Sequence, residues 1–65
     1  MKLICKKEAL DDKGNKVMNF TQGVIYDFEE ISDPKGWETT DDNGNKEVFF
    51  NLDLMFKPIY IGLLF

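Results

Sequence analysis

The phrase Asp-Asp-x-Gly-Asn-Lys occurs twice in this 65-residue chain, at residues 11–16 and 41–46. Glycine adopts positive backbone φ angles without a Cβ clash and asparagine tolerates them, so each copy is expected to reverse the chain between extended segments. The sequences that flank the two copies differ, so we do not infer a duplicated site. Two such reversals in so short a chain favour an antiparallel all-β fold. We expect one domain, spanning residues 1–65.

Two segments between the turns have the patterns of short strands. The first strand is predicted near residues 2–7, with Leu3 and Cys5 on one face and Ile4 on the other. Gly23 marks a turn or bulge before the next strand. Residues 24–29 alternate with a period of two, which places Tyr26 and Phe28 on the inward face.

The second copy of the phrase predicts a hairpin with a two-residue turn at residues 43–44. Counting outward from that turn gives the register, which pairs Asp41 with Lys46, Thr39 with Val48 and Trp37 with Phe50. On this register Phe50 faces inward beside Trp37, and Asp41 forms an ion pair with Lys46. Asp42 lies on the opposite face and is left free to meet a partner.

The C-terminal part of the chain holds a turn and a strongly apolar segment. Residues 51–56 do not alternate cleanly, and Asn51 is a suitable cap for a short helical turn there. After Pro58 the chain is apolar except at Gly62, which is typical of a strand buried on both faces. Such a strand either closes a barrel or pairs with a second copy. The residues assigned to self-association are Ile59, Tyr60, Ile61, Leu63, Leu64 and Phe65.

Together these segments predict an all-β fold: a small, five-stranded, strongly curved antiparallel sheet or an SH3-like barrel, with one short helical turn near residues 51–56. No segment keeps a 3.6-residue apolar period, so a helical fold is disfavoured. The lone Cys5 permits no intrachain disulfide. No signal peptide and no membrane-spanning apolar run are visible, so we expect a cytoplasmic protein.

Charge is unevenly distributed along the chain. Eight Lys face twelve acidic residues, for a net charge of −4. Residues 27–42 hold seven acidic residues and one Lys, a balance of −6, whereas the rest of the chain holds five acidic residues and seven Lys, a balance of +2. Such a region favours a basic partner, although a solvated surface has the same composition. The residues assigned to partner binding are Asp27, Glu29, Glu30, Asp33, Glu38 and Asp42.

The residue types disfavour catalysis and metal binding. Histidine is absent, and the adjacent carboxylates of Glu29-Glu30 and Asp41-Asp42 point to opposite faces of a strand, so neither pair converges on one substrate atom. Lys46 stands where an EF-hand loop needs glycine, and zinc would need a Cys or His cluster. We therefore expect no enzyme, no cofactor and no metal. Nucleic-acid binding is also disfavoured, because Arg is absent and the one basic cluster consists of Lys6, Lys7, Lys13 and Lys16.

A longer pattern combines Phe20-Thr21-Gln22-Gly23-Val24-Ile25-Tyr26, the hairpin Asp41-Asp42-Asn43-Gly44 and the aromatic pair Phe49-Phe50. It resembles small bacteriophage-encoded proteins with an SH3-like barrel, which commonly read Phe-Thr-x-Gly-x-x-Tyr before an acidic hairpin. The resemblance spans about residues 20–56, and family members often carry Lys where this chain has Val24. It implies a phage accessory protein of the host-takeover or anti-defence type and carries over no catalytic residue.

Three functional hypotheses follow. The first is a non-enzymatic protein-binding module whose acidic face binds a basic surface of a host protein and inhibits or redirects that protein. The second is a structural module that self-associates through its C-terminal strand. The third is an SH3-like binder, either of nucleic acid or of a peptide held in a groove of exposed aromatic rings from Tyr26, Trp37 and Tyr60.

Overall fold

The structure is a computed structural model that describes residues 1–59, and its regular secondary structure consists of six short strands. These are β1 (Lys2–Cys5), β2 (Ile25–Asp27), β3 (Glu29–Ser32), β4 (Lys35–Thr40), β5 (Lys46–Phe49) and β6 (Phe56–Pro58). They form two three-stranded antiparallel sheets with the strand orders β2-β1-β6 and β3-β4-β5. The all-β prediction is confirmed. The described residues form neither a closed barrel nor a single five-stranded sheet, so that finer expectation is corrected.

The two sheets separate at Phe28, in a segment that was expected to be one strand. The backbone N–H of Phe28 donates to the carbonyl of Met1, beside the first sheet, at 2.6 Å. The carbonyl of Asp27 instead accepts the Thr39 hydroxyl of the second sheet at 2.7 Å. Because neighbouring backbone groups bond to different sheets, the strand splits into β2 and β3.

Aromatic rings fill the space between the sheets. The buried residues include Leu3, Cys5, Tyr26 and Phe28, so the inward faces predicted for these two strands are confirmed. The ring of Phe56 lies in the middle of the core and makes edge-to-face contacts with Phe20, Tyr26, Phe28 and Phe49, with centroids 4.8 to 6.0 Å apart. Such contacts stabilise a core beyond simple burial, by about 0.5 to 1.5 kcal/mol per pair.

The register predicted for the β4–β5 hairpin is wrong by one residue. The structure pairs Trp37 with Phe49, and Thr40 with Lys46. The N–H of Asp41 donates to the carbonyl of Asn45 at 2.8 Å, and Gly44 has a φ of 85°. The loop therefore has three residues rather than two, with a glycine bulge at its end.

This shift of one residue reverses the faces of β5, because successive side chains of a strand point to opposite sides. Phe49 packs against the core, and Phe50, expected to face inward, is 69% exposed.

The segment before β6 is a single hydrogen-bonded turn, at the place where a short helical turn was expected, and it does not extend into a helix. The Oδ1 atom of Asn51 accepts the N–H of Asp53 at 3.0 Å, as expected for a capping residue. The carbonyl of Leu52 accepts the N–H of Phe56 at 2.9 Å, and the chain then enters β6.

Of the residues assigned to self-association, Ile59 is half-buried just after β6. The others, Tyr60, Ile61, Leu63, Leu64 and Phe65, lie outside the described residues. Within residues 1–59 there is no helix that could span a membrane.

Candidate functional site

One side of the β3-β4-β5 sheet combines exposed apolar side chains with carboxylates. We call it the outer face and define it by residues that the strand pairing places on the same side: Glu29, Ile31, Gly36, Glu38, Val48 and Phe50. One row across the three strands consists of Glu29, Glu38 and Val48. The neighbouring row begins with Ile31 opposite Gly36 and continues toward Phe50, which follows the last paired residue of β5.

The ring of Phe50 lies directly over Gly36. A Cβ atom at Gly36 would come within 3.1 Å of the ring atom Cδ1 of Phe50 and within 3.0 Å of the carbonyl oxygen of Phe49. Gly36 is buried beneath this contact, whereas 69% of Phe50 and 38% of Val48 remain exposed. The absence of a side chain at Gly36 thus lets the ring of Phe50 pack against the backbone while its other side faces solvent. Exposed aromatic surface next to other apolar groups is a mark of interaction sites.

Two carboxylates lie beside this apolar surface. Glu29 is directly opposite Glu38, an arrangement of like charges that is unfavourable within a sheet. Glu38 is paired with the ammonium group of Lys46 at 3.4 Å, so the predicted ion pair between Asp41 and Lys46 is wrong. The side chain of Lys46 is 71% exposed, so solvent screening makes this pair weak. Lys46 lies on the same side of the sheet as Glu38 and Val48, so two glutamates and one lysine leave this side with a net charge of −1.

The carboxylate of Asp27 is engaged by cations of the first sheet. Its oxygens lie 3.3 Å from the amino group of Met1 and 3.5 Å from Nζ of Lys2. The hydrogen bond from the Met1 amino group, followed by the charge of Lys2, holds the pKa of Asp27 below its ordinary value. Asp27 is thus less available to a partner than its exposure alone indicates.

The other predicted acidic residues are dispersed. Glu30 is opposite Trp37, so it lies on the side of the sheet that faces the core, although its own side chain is exposed. Asp33 is exposed in the short connection between β3 and β4. Of the six residues assigned to partner binding, the structure brings Glu29 and Glu38 together on the outer face.

Asp42 was expected to be free and is instead part of a hydrogen-bond network. Its carboxylate accepts the Tyr26 hydroxyl at 2.6 Å and the Thr21 hydroxyl at 2.7 Å. These two bonds, the Tyr26 bond first, lower the pKa of Asp42. Burial, followed by the bond to Asp42, raises the pKa of Tyr26.

The same network gives the Phe-Thr-x-Gly-x-x-Tyr pattern a structural role. The backbone N–H of Thr21 donates to the Tyr26 hydroxyl oxygen at 2.8 Å, across a turn in which Gly23 has a φ of 88°. The spacing between Thr21 and Tyr26 was visible in the sequence, and their link to Asp42 was not. Tyr26 is only 7% exposed, so it does not present its ring as a peptide groove would require.

The remaining chemical candidates offer no reactive centre. Cys5 is buried, and the loss of solvation raises the pKa of its thiol, which disfavours the nucleophilic thiolate. Residues 1–59 contain no cluster of three or more His, Cys, Asp or Glu side chains that could hold a metal ion.

No protein-family model matches the sequence, and no curated protein or solved structure matches it.

Proposed function

We propose that this chain is a non-enzymatic protein-binding module and that its outer face binds a partner with apolar side chains beside basic ones. The observation that carries the proposal is the exposed ring of Phe50, held on Gly36 next to a row with two carboxylates. A seated aromatic ring loses little conformational entropy when a partner covers it, and such residues dominate the energy of many interfaces.

The charges of the outer face support the choice of a basic partner. Glu29 and Glu38 lie in the row next to Phe50, and one weakly held Lys46 offsets part of their charge. Opposite charge on a partner would relieve the repulsion between the two glutamates and would raise the rate of association. Apolar contact would supply affinity, and the carboxylates would select the partner.

The resemblance to small phage proteins supports a more specific setting for this proposal. In that setting the protein acts in the bacterial cytoplasm, and the partner is a host protein that it inhibits or redirects. A defence protein of the host is the narrower form of the same idea.

The proposal is tested by affinity capture of tagged protein from bacterial lysate, with quantification of each co-purified protein. The test variant is F50S, and the matched control is V17S, which removes another apolar side chain, 61% exposed, from a turn elsewhere on the surface. A true partner is lost from F50S and retained by V17S. Equal recovery with both variants would contradict a role for the outer face.

Calorimetry with the captured partner then tests the charge component. Affinity for the native chain is expected to fall as salt rises, because ions screen exposed charges over about 10 Å at 0.1 M. The double variant E29Q/E38Q is expected to bind more weakly and with a smaller dependence on salt. An affinity independent of salt would remove the electrostatic part of the proposal and leave the apolar part standing.

A further inference from the structure

A cleft with a volume of about 450 Å³ lies between the segment of residues 7–10 and the turn of residues 51–55. Phe49 contributes to its wall, so the cleft is on the opposite side of β5 from Phe50 and is separate from the outer face. Its volume is within the range of roughly 300 to 1,000 Å³ that is usual for small-molecule sites.

The wall of the cleft is mainly apolar. Met18, Phe49 and Met55 form part of it, and Leu10 and Leu54 contribute side chains that are 54% and 70% exposed. Methionine side chains are flexible and adapt to irregular ligands. Two exposed leucines beside an apolar wall leave a surface that an aliphatic chain would cover favourably, at about 25 cal/mol per Å² of buried apolar area.

Two charged residues, Lys7 and Glu8, line the cleft, and they differ in their contacts with the rest of the protein. Glu8 accepts the backbone N–H of Gln22 through Oε2 at 2.9 Å, so its carboxylate keeps its charge but is held at that amide. Lys7 is exposed, and within residues 1–59 its ammonium group makes no ion pair. Its backbone N–H is held by the carbonyl of Met55 at 3.3 Å, which keeps the base of the side chain at the cleft. The cleft therefore combines an apolar wall with the ammonium group of Lys7, which has no ion pair among the described residues, and with a carboxylate that is held at the Gln22 amide.

We propose that this cleft binds an aliphatic carboxylate of the fatty-acid type. The alkyl chain lies against Met18, Phe49 and Met55, between the exposed leucines, and the carboxylate is paired with the ammonium group of Lys7. The ammonium group of Lys7, unpaired within residues 1–59, favours this occupant over an aliphatic cation, because the Glu8 carboxylate is already held at the Gln22 amide. The mainly apolar wall favours it over a short hydrophilic anion.

The test is a titration of isotope-labelled full-length protein with decanoate, kept below its micelle-forming concentration and followed by two-dimensional NMR. The amide signals of Ala9, Met18, Asn51 and Met55 are expected to shift most. The variant K7Q is expected to weaken binding about two- to fivefold, the range typical of one exposed ion pair. The variant K13Q removes an exposed lysine that does not line the cleft and is expected to leave affinity unchanged.

Decyltrimethylammonium, with the same chain length and the opposite charge, is expected to bind more weakly than decanoate. The variant L54S is expected to weaken both amphiphiles, because it removes apolar surface without touching the core. Equal binding of the two amphiphiles, or equal effects of K7Q and K13Q, would overturn the proposal and leave the cleft as an uncharged apolar surface. Shifts centred on Phe50 and Val48, or no shifts at all, would also overturn it. The NMR spectrum of each variant without ligand shows that it has folded.

Discussion

The two copies of Asp-Asp-x-Gly-Asn-Lys form turns with the same internal geometry. In the first hairpin (residues 10–16) the Asp11 carboxylate accepts two backbone N–H groups at 2.9 Å, and in the second (residues 40–46) Asp41 does the same at the same distances. Gly14 and Gly44 both have a φ of 85°. The local sequence alone is sufficient to specify this turn.

The surroundings of the two hairpins are different. Asp11 is exposed, and the strand pairing beside it consists of one isolated bridge between Leu10 and Lys16. Asp41 is only 6% exposed, and its Oδ2 atom also accepts the side-chain amide of Asn19 at 3.4 Å. The second hairpin continues into β4 and β5, and its Asp42 bonds to Tyr26. Conformation is thus set within six residues, whereas the contribution of each turn to stability depends on what packs around it.

The two hairpins are expected to differ most in the loss of stability when the aspartate at the first position of each turn is replaced. D41A should lower the free energy of unfolding by roughly 2 to 3 kcal/mol, because two backbone amides and the Asn19 side chain lose their acceptor in a largely buried place. D11A should cost clearly less, since water reaches the amides of the first hairpin. Urea denaturation of both variants at pH 7 measures the difference. Equal losses would show that burial does not distinguish the two turns.

Substitution of the turn glycines should lower the free energy of unfolding by similar amounts in the two hairpins. G14A and G44A each force an alanine into the left-handed region, which costs about 1 to 2 kcal/mol. A Cβ atom meets nothing within 4 Å at either position, so the cost is conformational and should be similar in both hairpins. The same denaturation assay measures it. A much larger loss for G44A would mean that the backbone of the second hairpin is constrained by its neighbours.

Removal of the Tyr26 hydroxyl should affect the second hairpin and not the first. Y26F deletes the donor to Asp42 and the acceptor for the Thr21 amide while keeping the ring in the core, for a loss of about 1 kcal/mol. In a double-mutant cycle with D42A the two losses should not add, because both variants break the same bond. The matched control is D12A, at the equivalent position of the first hairpin. Additive effects of Y26F and D42A would show that the bond contributes little.

The smallest expected effect is on the dependence of stability on pH. The folded-state pKa values of Asp11 and Asp42 are lowered, so their stabilising contributions are present above about pH 4 and are lost as pH falls through the folded values. The folded-state pKa of Tyr26 is raised, so its contribution is present below about pH 10 and is lost as pH rises through the folded value.

Thermal unfolding between pH 2 and pH 11 checks both ends of this profile. D11N and D42N should each reduce the fall in melting temperature at acid pH. Y26F should reduce the fall in melting temperature at alkaline pH. An alkaline side that Y26F leaves unchanged would contradict the assignment to Tyr26.

Local patterns predicted much of the fold. The period-two alternation around Tyr26 and Phe28 and the common face of Leu3 and Cys5 follow from burial of one face of a strand. The glycine turns follow from backbone sterics. The division into two sheets could not be predicted, because it depends on which distant groups bond to Asp27 and Phe28.

The error in register had a signal in the sequence. Aspartate at the first and glycine at the fourth position of a turn is typical of a type I turn, and the run from Asp41 to Gly44 has both. A type I turn that ends in a glycine bulge gives a three-residue loop, which places Phe49 inward and Phe50 outward. The part of the outer face that depends on Phe50 was therefore missed because the turn type was misjudged. The bond of Asp42 to Tyr26 had no comparable local signal.

The strand pairing of the two sheets also has a consequence for the order of folding. In the β3-β4-β5 sheet each strand pairs with its neighbour in sequence, so short loops close at low entropic cost. In the β2-β1-β6 sheet Cys5 must find Phe56 from the far side of the described chain, which costs more entropy and slows folding. We expect the sheet that carries the outer face to form in the folding transition state and the other sheet to close around Phe56 afterwards.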